Sequence, residues 1–198
     1  MAGAWLEALE PGAPDLVAAF RALDEGRFIA VRREVRRRGG EGCALRVVGQ
    51  HAAVAAHLDG LVAAASPGVL AAPGGEEDWN VAQALGHAIA ARQGLALAAQ
   101  LAALGRWPPD APTVVPGVPG PRDASGEELR ARLAKSQRFI ERAAERIAGR
   151  ELEPCPLEHP LVGRLRCGEW LIFAGVHDLM HVEQLEALVR PDPAPRRG

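Results

Sequence analysis

Apolar residues in this chain return at steps of three and four, the spacing of one face of an α-helix, and strict alternation is missing almost everywhere. Val47, His51, Val54, Leu58 and Val62 mark one such face and predict a helix over residues 45–65, ended by Ser66-Pro67-Gly68. A loop, PGVLAAPGGEED, leads from there to Trp79. A second helix is predicted from Asn80 to Leu104. Asn80 and Gln83 fit a capping box at its start, and Gly105 stops it. Ser125 and Glu128 carry the same signature before a third helix, whose buried stripe is Leu129, Leu133, Ser136, Ile140, Ala143 and Ile147. Gly149 ends that helix. The connection over 151–168 is punctuated by Pro and Gly, and no strand is expected there. A fourth helix is predicted from about Glu169 to Val189, with Pro191 as its stop.

The remaining segments are less regular. In residues 1–42, Asp15 is placed to cap a short helix through Leu23, and GRFIAVRREVRRR predicts a second amphipathic piece that stops at Gly39-Gly40. Residues 105–124 hold six prolines, which exclude helix and favour stiff, extended chain. A connection of that length can run along a bundle and let the helices on either side lie parallel. Four amphipathic helices of some twenty residues predict an all-α fold, a four-helix bundle over 43–198. Residues 1–42 are expected to form an N-terminal helical extension packed on the bundle, within one domain overall.

Composition narrows the function without naming it. The 198 residues are 48% hydrophobic and 24% charged, a soluble globular balance, and the net charge is -2. Nucleic acid and anionic membrane are therefore not expected partners. The basic cluster Arg32, Arg33, Arg36, Arg37 and Arg38 reads as a solvated helix face. No segment has the uninterrupted apolar length of a membrane span, and the acidic start MAGAWLEALE does not resemble a signal peptide. Cys43, Cys155 and Cys167 are widely spaced and odd in number, which argues against a disulfide framework and for a reducing cytoplasm. Cys167 falls just before the fourth helix, where a helix N-terminus can lower a thiol pKa. A plain buried cysteine is the expected state.

The candidate chemistry lies in HDLMH. His177 and His181 are one turn apart on one helix face, together with Trp170, Phe173, Gln184 and Leu188. Two neutral imidazoles so placed can converge on one divalent cation, although they can equally be core histidines bonded to backbone or water. His87 lies mid-way along the second helix, with Gln83 one turn before it and Ala91 one turn after. The small residues around it leave room for an inward imidazole. Three histidines without a fourth protein ligand would leave coordination positions open, as in a catalytic site. His51 is on the inner stripe of the first helix and is a candidate substrate-facing group, against the plainer reading of a core histidine with one hydrogen bond. His57 lies off that stripe and is expected in solvent. His159, before Pro160, is expected to be structural.

Trp79-Asn80 through Gly86-His87 resembles the WSxxxxLGH stretch of the DinB/YfiT-like family. His159-Pro160 to Gly163, then Gly168-Glu169-Trp170 and His177-Asp178-Leu-Met-His181 with Gln184, resembles that family's closing segment. The resemblance covers about residues 45–190 and rests on two motifs in the right order. It implies an up-down-down-up four-helix bundle, a divalent metal on three histidines and frequent homodimers. By position the ligands carry over to His87, His177 and His181. Asn80 stands where the family has serine, and both cap a helix. Cys167 stands where another residue is more usual.

Imidazole ligands suit zinc and nickel alike. The resemblance implies that a metal so held activates a low-molecular-weight thiol in an S-transferase acting on a small-molecule substrate. Alternatives are a hydrolase that uses metal-bound water, and a non-catalytic, metal-stabilised binding protein. HDLMH resembles the HExxH zinc motif superficially, but Asp178 is one methylene shorter than glutamate and about 100° round the helix from His177. It is expected beside the site or at the surface rather than as a general base. Gln83, Gln184, Trp170, Asp178 and His51 complete the expected surroundings.

Overall fold

A computed structural model describes residues 3–23, 28–74 and 78–189. The chain begins with three short helices, α1 (Ala4–Leu9), α2 (Pro14–Phe20) and α3 (Phe28–Arg38), with a 3-10 turn over Arg21–Leu23. The long helices follow: α4 (Cys43–Ala64), α6 (Val81–Ala103), α7 (Gly126–Ile147) and α8 (Cys167–Val189), with the five-residue α5 (Pro67–Ala71) between the first two. Pro191, the expected stop of the last helix, lies outside the described residues.

Both capping boxes are present. Asn80 accepts from the Gln83 backbone amide at 2.8 Å while the Gln83 side chain takes the Asn80 amide, and Ser125 and Glu128 repeat the exchange. Each satisfies amides that a helix start leaves without partners. The apolar stripes face inward: Val47, Val54, Leu58 and Val62 of α4 and Leu129, Leu133, Ile140 and Ile147 of α7 are all buried. Helix α6 packs on α7 and α8, and α4 packs on the same two, so the four enclose one interior. Helix α2 lies on α8, where Gly175 admits Leu16: a Cβ at position 175 would stand 2.5 Å from a Leu16 methyl.

Three expectations need correction. Asp15 does not cap α2: Pro14 occupies the first turn, Ala13 is the cap residue, and the Asp15 carboxylate instead takes Arg46 at 3.0 Å and Gln50 at 2.9 Å. The loop after α4 contains α5, because Ser66 caps it through the Val69 amide and Pro67 suits its first position. The 151–168 connection contains an antiparallel hairpin, β1 (Pro154–His159) and β2 (Gly163–Arg166). Pro154 and Pro156 hide β1 from a propensity reading, yet Cys155 and Leu157 alternate inward as a strand requires.

The Pro-rich connection is fixed at both ends of its run. Val115 donates to the Glu158 carbonyl at 3.0 Å, and Glu158 donates to the Thr113 carbonyl at 2.7 Å, so the segment pairs with β1. Further on, the Gly120 amide bonds the Gln83 carbonyl at 3.0 Å. There the two backbones nearly touch: a Cβ on Gly120 would lie 2.5 Å from the Gly86 Cα, so glycine is required at this crossing.

Arg92 lies at the centre of the interior and has no solvent exposure. Its Nε donates to Asp178 of α8 at 2.8 Å, Nη1 to Ser136 of α7 at 3.1 Å, and Nη2 to Gln137 at 3.1 Å and to the His51 carbonyl of α4 at 3.4 Å. One side chain of α6 thus joins the other three long helices. Removing either charge of a buried pair leaves the other uncompensated, at a cost of about 3–5 kcal/mol, whereas exchanging both for apolar groups costs far less. We therefore expect Asp178→Asn and Arg92→Met each to lose that much stability in chemical denaturation. The double change Arg92→Met with Asp178→Leu is expected to lose less than either single change.

Candidate metal centre

Each of the three motif histidines is delivered by a helix whose start or packing is already fixed. The capping box at Asn80 sets the register of α6 and places His87 two turns in. The i, i+4 spacing on α8 brings His177 and His181 to the same side. The three converge: one nitrogen from each lies within 4.8 Å of the other two. Ring centroids are 4.7 Å apart for His177 and His181, 5.3 Å for His87 and His181, and 5.5 Å for His87 and His177. Among the described residues no cysteine or carboxylate joins this group.

The outer hydrogen bonds orient the rings. His87 Nδ1 lies 2.8 Å from the Val118 carbonyl, which can only accept, so Nδ1 carries the hydrogen and the Nε2 lone pair is left free. Gln184 does the same for His181. Its amide nitrogen donates to the Gly74 carbonyl, which fixes its oxygen toward His181 Nδ1 at 3.0 Å. This backing of a ligand ring by a second acceptor is the arrangement that metal-bound histidines use. His177 is different. Its Nδ1 is buried with no hydrogen-bond partner among the described residues. Burial first, then the neighbouring His181 and His87, holds His177 well below the usual imidazole range, so it stays neutral. Two nitrogens on one zinc lie at most about 4.2 Å apart, given metal–nitrogen bonds of about 2.1 Å. The separations here, within 4.8 Å, are close to that limit, and three imidazoles are a donor set that suits a divalent cation.

Other expected residues lie elsewhere. Gln83 uses its side chain in the helix cap rather than on the histidines. Trp170 is fully buried against Phe173, and its Nε1 has no hydrogen-bond partner among the described residues. His51 does not belong to the convergent group. Its Nε2 bonds the Leu171 carbonyl at 2.9 Å, and burial with nearby Arg92 pushes its pKa down to about 3, so it is a neutral core histidine. Asp178 is neither at the surface nor on the histidines: it is wholly buried and paired with Arg92. Burial raises its pKa to about 6 against the pull of Arg92, and it remains a carboxylate at neutral pH. His57 is not free in solvent but bonds Glu186 of α8 at 2.7 Å, with its ring 6.0 Å from Trp5. Cys167 is buried at the start of α8, and burial pushes its thiol up to about 12, which removes it as a nucleophile. Burial likewise raises Cys43 to about 12 and Cys155 to about 11.

Two neighbours of the cluster were not legible as such. The Trp79 ring lies 5.1 Å from His87, and His159 lies 6.5 Å from His177 and 4.8 Å from Phe173. The Leu161 amide donates to His159 Nδ1 at 3.2 Å, so the hairpin turn holds that ring beside the site. The His-Pro pair is the one signal that could have drawn attention to it.

No curated protein and no solved structure matches the chain. Residues 50–185, a span that contains all three convergent histidines, match the DinB superfamily, and the chain belongs to that superfamily.

Proposed function

We propose that this protein is a divalent-metal-dependent enzyme, with His87, His177 and His181 as metal ligands, that transfers a low-molecular-weight thiol to a small electrophilic substrate. The observation that carries the reading is the convergence of three imidazoles, two of them backed by carbonyl or amide oxygen, with no fourth protein ligand among the described residues. Open coordination positions distinguish a catalytic from a structural centre. Zinc or nickel is the proposed metal. When bound, it supplies positive charge that stabilises a thiolate at neutral pH. The chain's own contribution is to hold the three rings in place, with Trp79 against His87 and His159 of the hairpin beside His177.

A hydrolase of the HExxH kind needs a carboxylate base beside the metal. Asp178, the carboxylate of this motif, is committed to Arg92, which favours the transferase reading. We further propose a cytoplasmic homodimer with an up-down-down-up bundle over 43–198 and residues 1–42 as its extension. The proposed partner is a small molecule rather than nucleic acid or membrane. Glu34 and Asp15 neutralise Arg37 and Arg38 in the basic cluster, and among the described residues no helix is long and apolar enough to cross a membrane.

Metal content by mass spectrometry, on protein purified without a nickel column or chelator, tests the centre. Near-stoichiometric metal is expected in the parent and loss of it in His87→Ala and His177→Ala. A parent that binds neither zinc nor nickel would end the enzyme reading. Gln184→Leu removes the acceptor behind His181 and is expected to weaken metal binding by about 10–100-fold, read by competition with a chromogenic chelator. In cobalt-loaded protein, a low-molecular-weight thiol is expected to produce a new absorption band. No band, with cobalt bound, would favour the hydrolase.

A further inference from the structure

Between α6 and the Pro-rich connection lies a cavity of about 360 Å³. Its floor is the small-residue face of α6, where Ala91, Gly94 and Ala98 follow His87 along the helix. Its roof is the connection itself, which contributes Pro108, Pro112 and Pro116. Trp107 lines it as well, and His87 is part of its wall. The metal candidate and the cavity therefore share a side chain.

The chemistry of the walls selects the occupant. Among the described residues, no acidic, amide, lysine or arginine side chain lines the cavity, and His87 is the one titratable lining residue. The prolines of the roof have no amide hydrogen to donate, and the amides of the floor are engaged within the helix. A charged ligand would lose hydration there and gain no partner. An uncharged hydrocarbon or aromatic group would gain from every contact. The roof is also held open: pairing with β1 at Thr113 and Val115 fixes one part, and the Gly86–Gly120 crossing fixes another. The cavity is thus a feature of the backbone arrangement rather than of one rotamer.

We infer that this cavity binds the uncharged, apolar body of a small molecule, with one end of that molecule against His87. Its role as the seat of the electrophilic substrate rests on the metal-enzyme reading above; the binding itself does not. The thiol cosubstrate, if charged, enters by another route, because this cavity offers it no counter-charge.

Gly94 provides the test. Among the described residues a Cβ there would meet nothing within 4 Å, so Gly94→Leu projects a side chain into the cavity from an unobstructed position and replaces a poor helix former with a good one. The probe is N-phenyl-1-naphthylamine, an uncharged fluorophore. The parent is expected to bind one equivalent and Gly94→Leu to bind at least tenfold more weakly, with thermal stability not lowered and zinc content unchanged. Binding is expected to quench tryptophan emission, and Trp107→Phe should remove most of that quenching while leaving affinity within about threefold. 1-Octanol should displace the probe, and octylammonium should not. Equal binding by parent and Gly94→Leu, or none by the parent, overturns the inference. So does octylammonium displacing the probe as well as 1-octanol. If the parent fails to bind and Gly94→Leu changes its mass in solution, the cavity is a contact between two copies instead. If the probe is lost in Gly94→Leu but neither variant holds zinc, the binding site stands and the metal reading fails.

Discussion

A guanidinium without access to water cannot be neutralised by losing its proton, so the fold around Arg92 has to answer its charge. It does so with one carboxylate, one hydroxyl, one side-chain amide and one backbone carbonyl, drawn from all three of the other long helices. The consequence is angular and axial register. Hydrophobic stripes alone would let α6 and α8 slide or rotate by part of a turn at modest cost, since apolar contacts have no direction. A charge with four directed bonds does not permit that. His87 lies five residues before Arg92, and His177 precedes Asp178, so the ion pair that fixes the core also sets how the histidines of the two helices face each other.

Helix α8 therefore presents two chemistries on adjoining faces. Asp178 points to the ion pair, and His177 and His181 point to one another and to His87. The two groups do not share ligands, which lets the ion pair carry structure while the histidines keep their lone pairs. The outer bonds to Val118 and Gln184 come from segments that are themselves fixed, one by the crossing at Gly120 and one by the stretch before α6. The loops thus contribute orientation to the site without contributing ligands.

Much of this was legible in the chain because it is local. Capping boxes at Asn80 and Ser125, the stripe of α7 and the i, i+4 histidines of α8 each depend on residues within one or two turns. What was not legible depends on partners far apart. Arg92 meets Asp178 across 86 positions, and in a pattern reading a charge among apolar residues is only an interruption of the stripe. His51 shows the same limit: its inner position foretold burial but not which neighbour it would meet. The hairpin at 154–166 was masked by two prolines, and α5, at five residues, is too short to show a helical period within a stretch read as loop. The family motifs, read as motifs, located the histidine cluster better than periodicity could, since they record which distant residues belong together.

The three thiols carry a practical implication. Each is buried and held far from its ionised form, and the rest of the sequence contains no cysteine. A cysteine introduced on the surface would then be the one thiolate open to maleimide or iodoacetamide at neutral pH. Fluorophores or spin labels can be attached at chosen points, on α7 or the Pro-rich roof for instance, without first stripping out the native sulfurs and disturbing the core they fill.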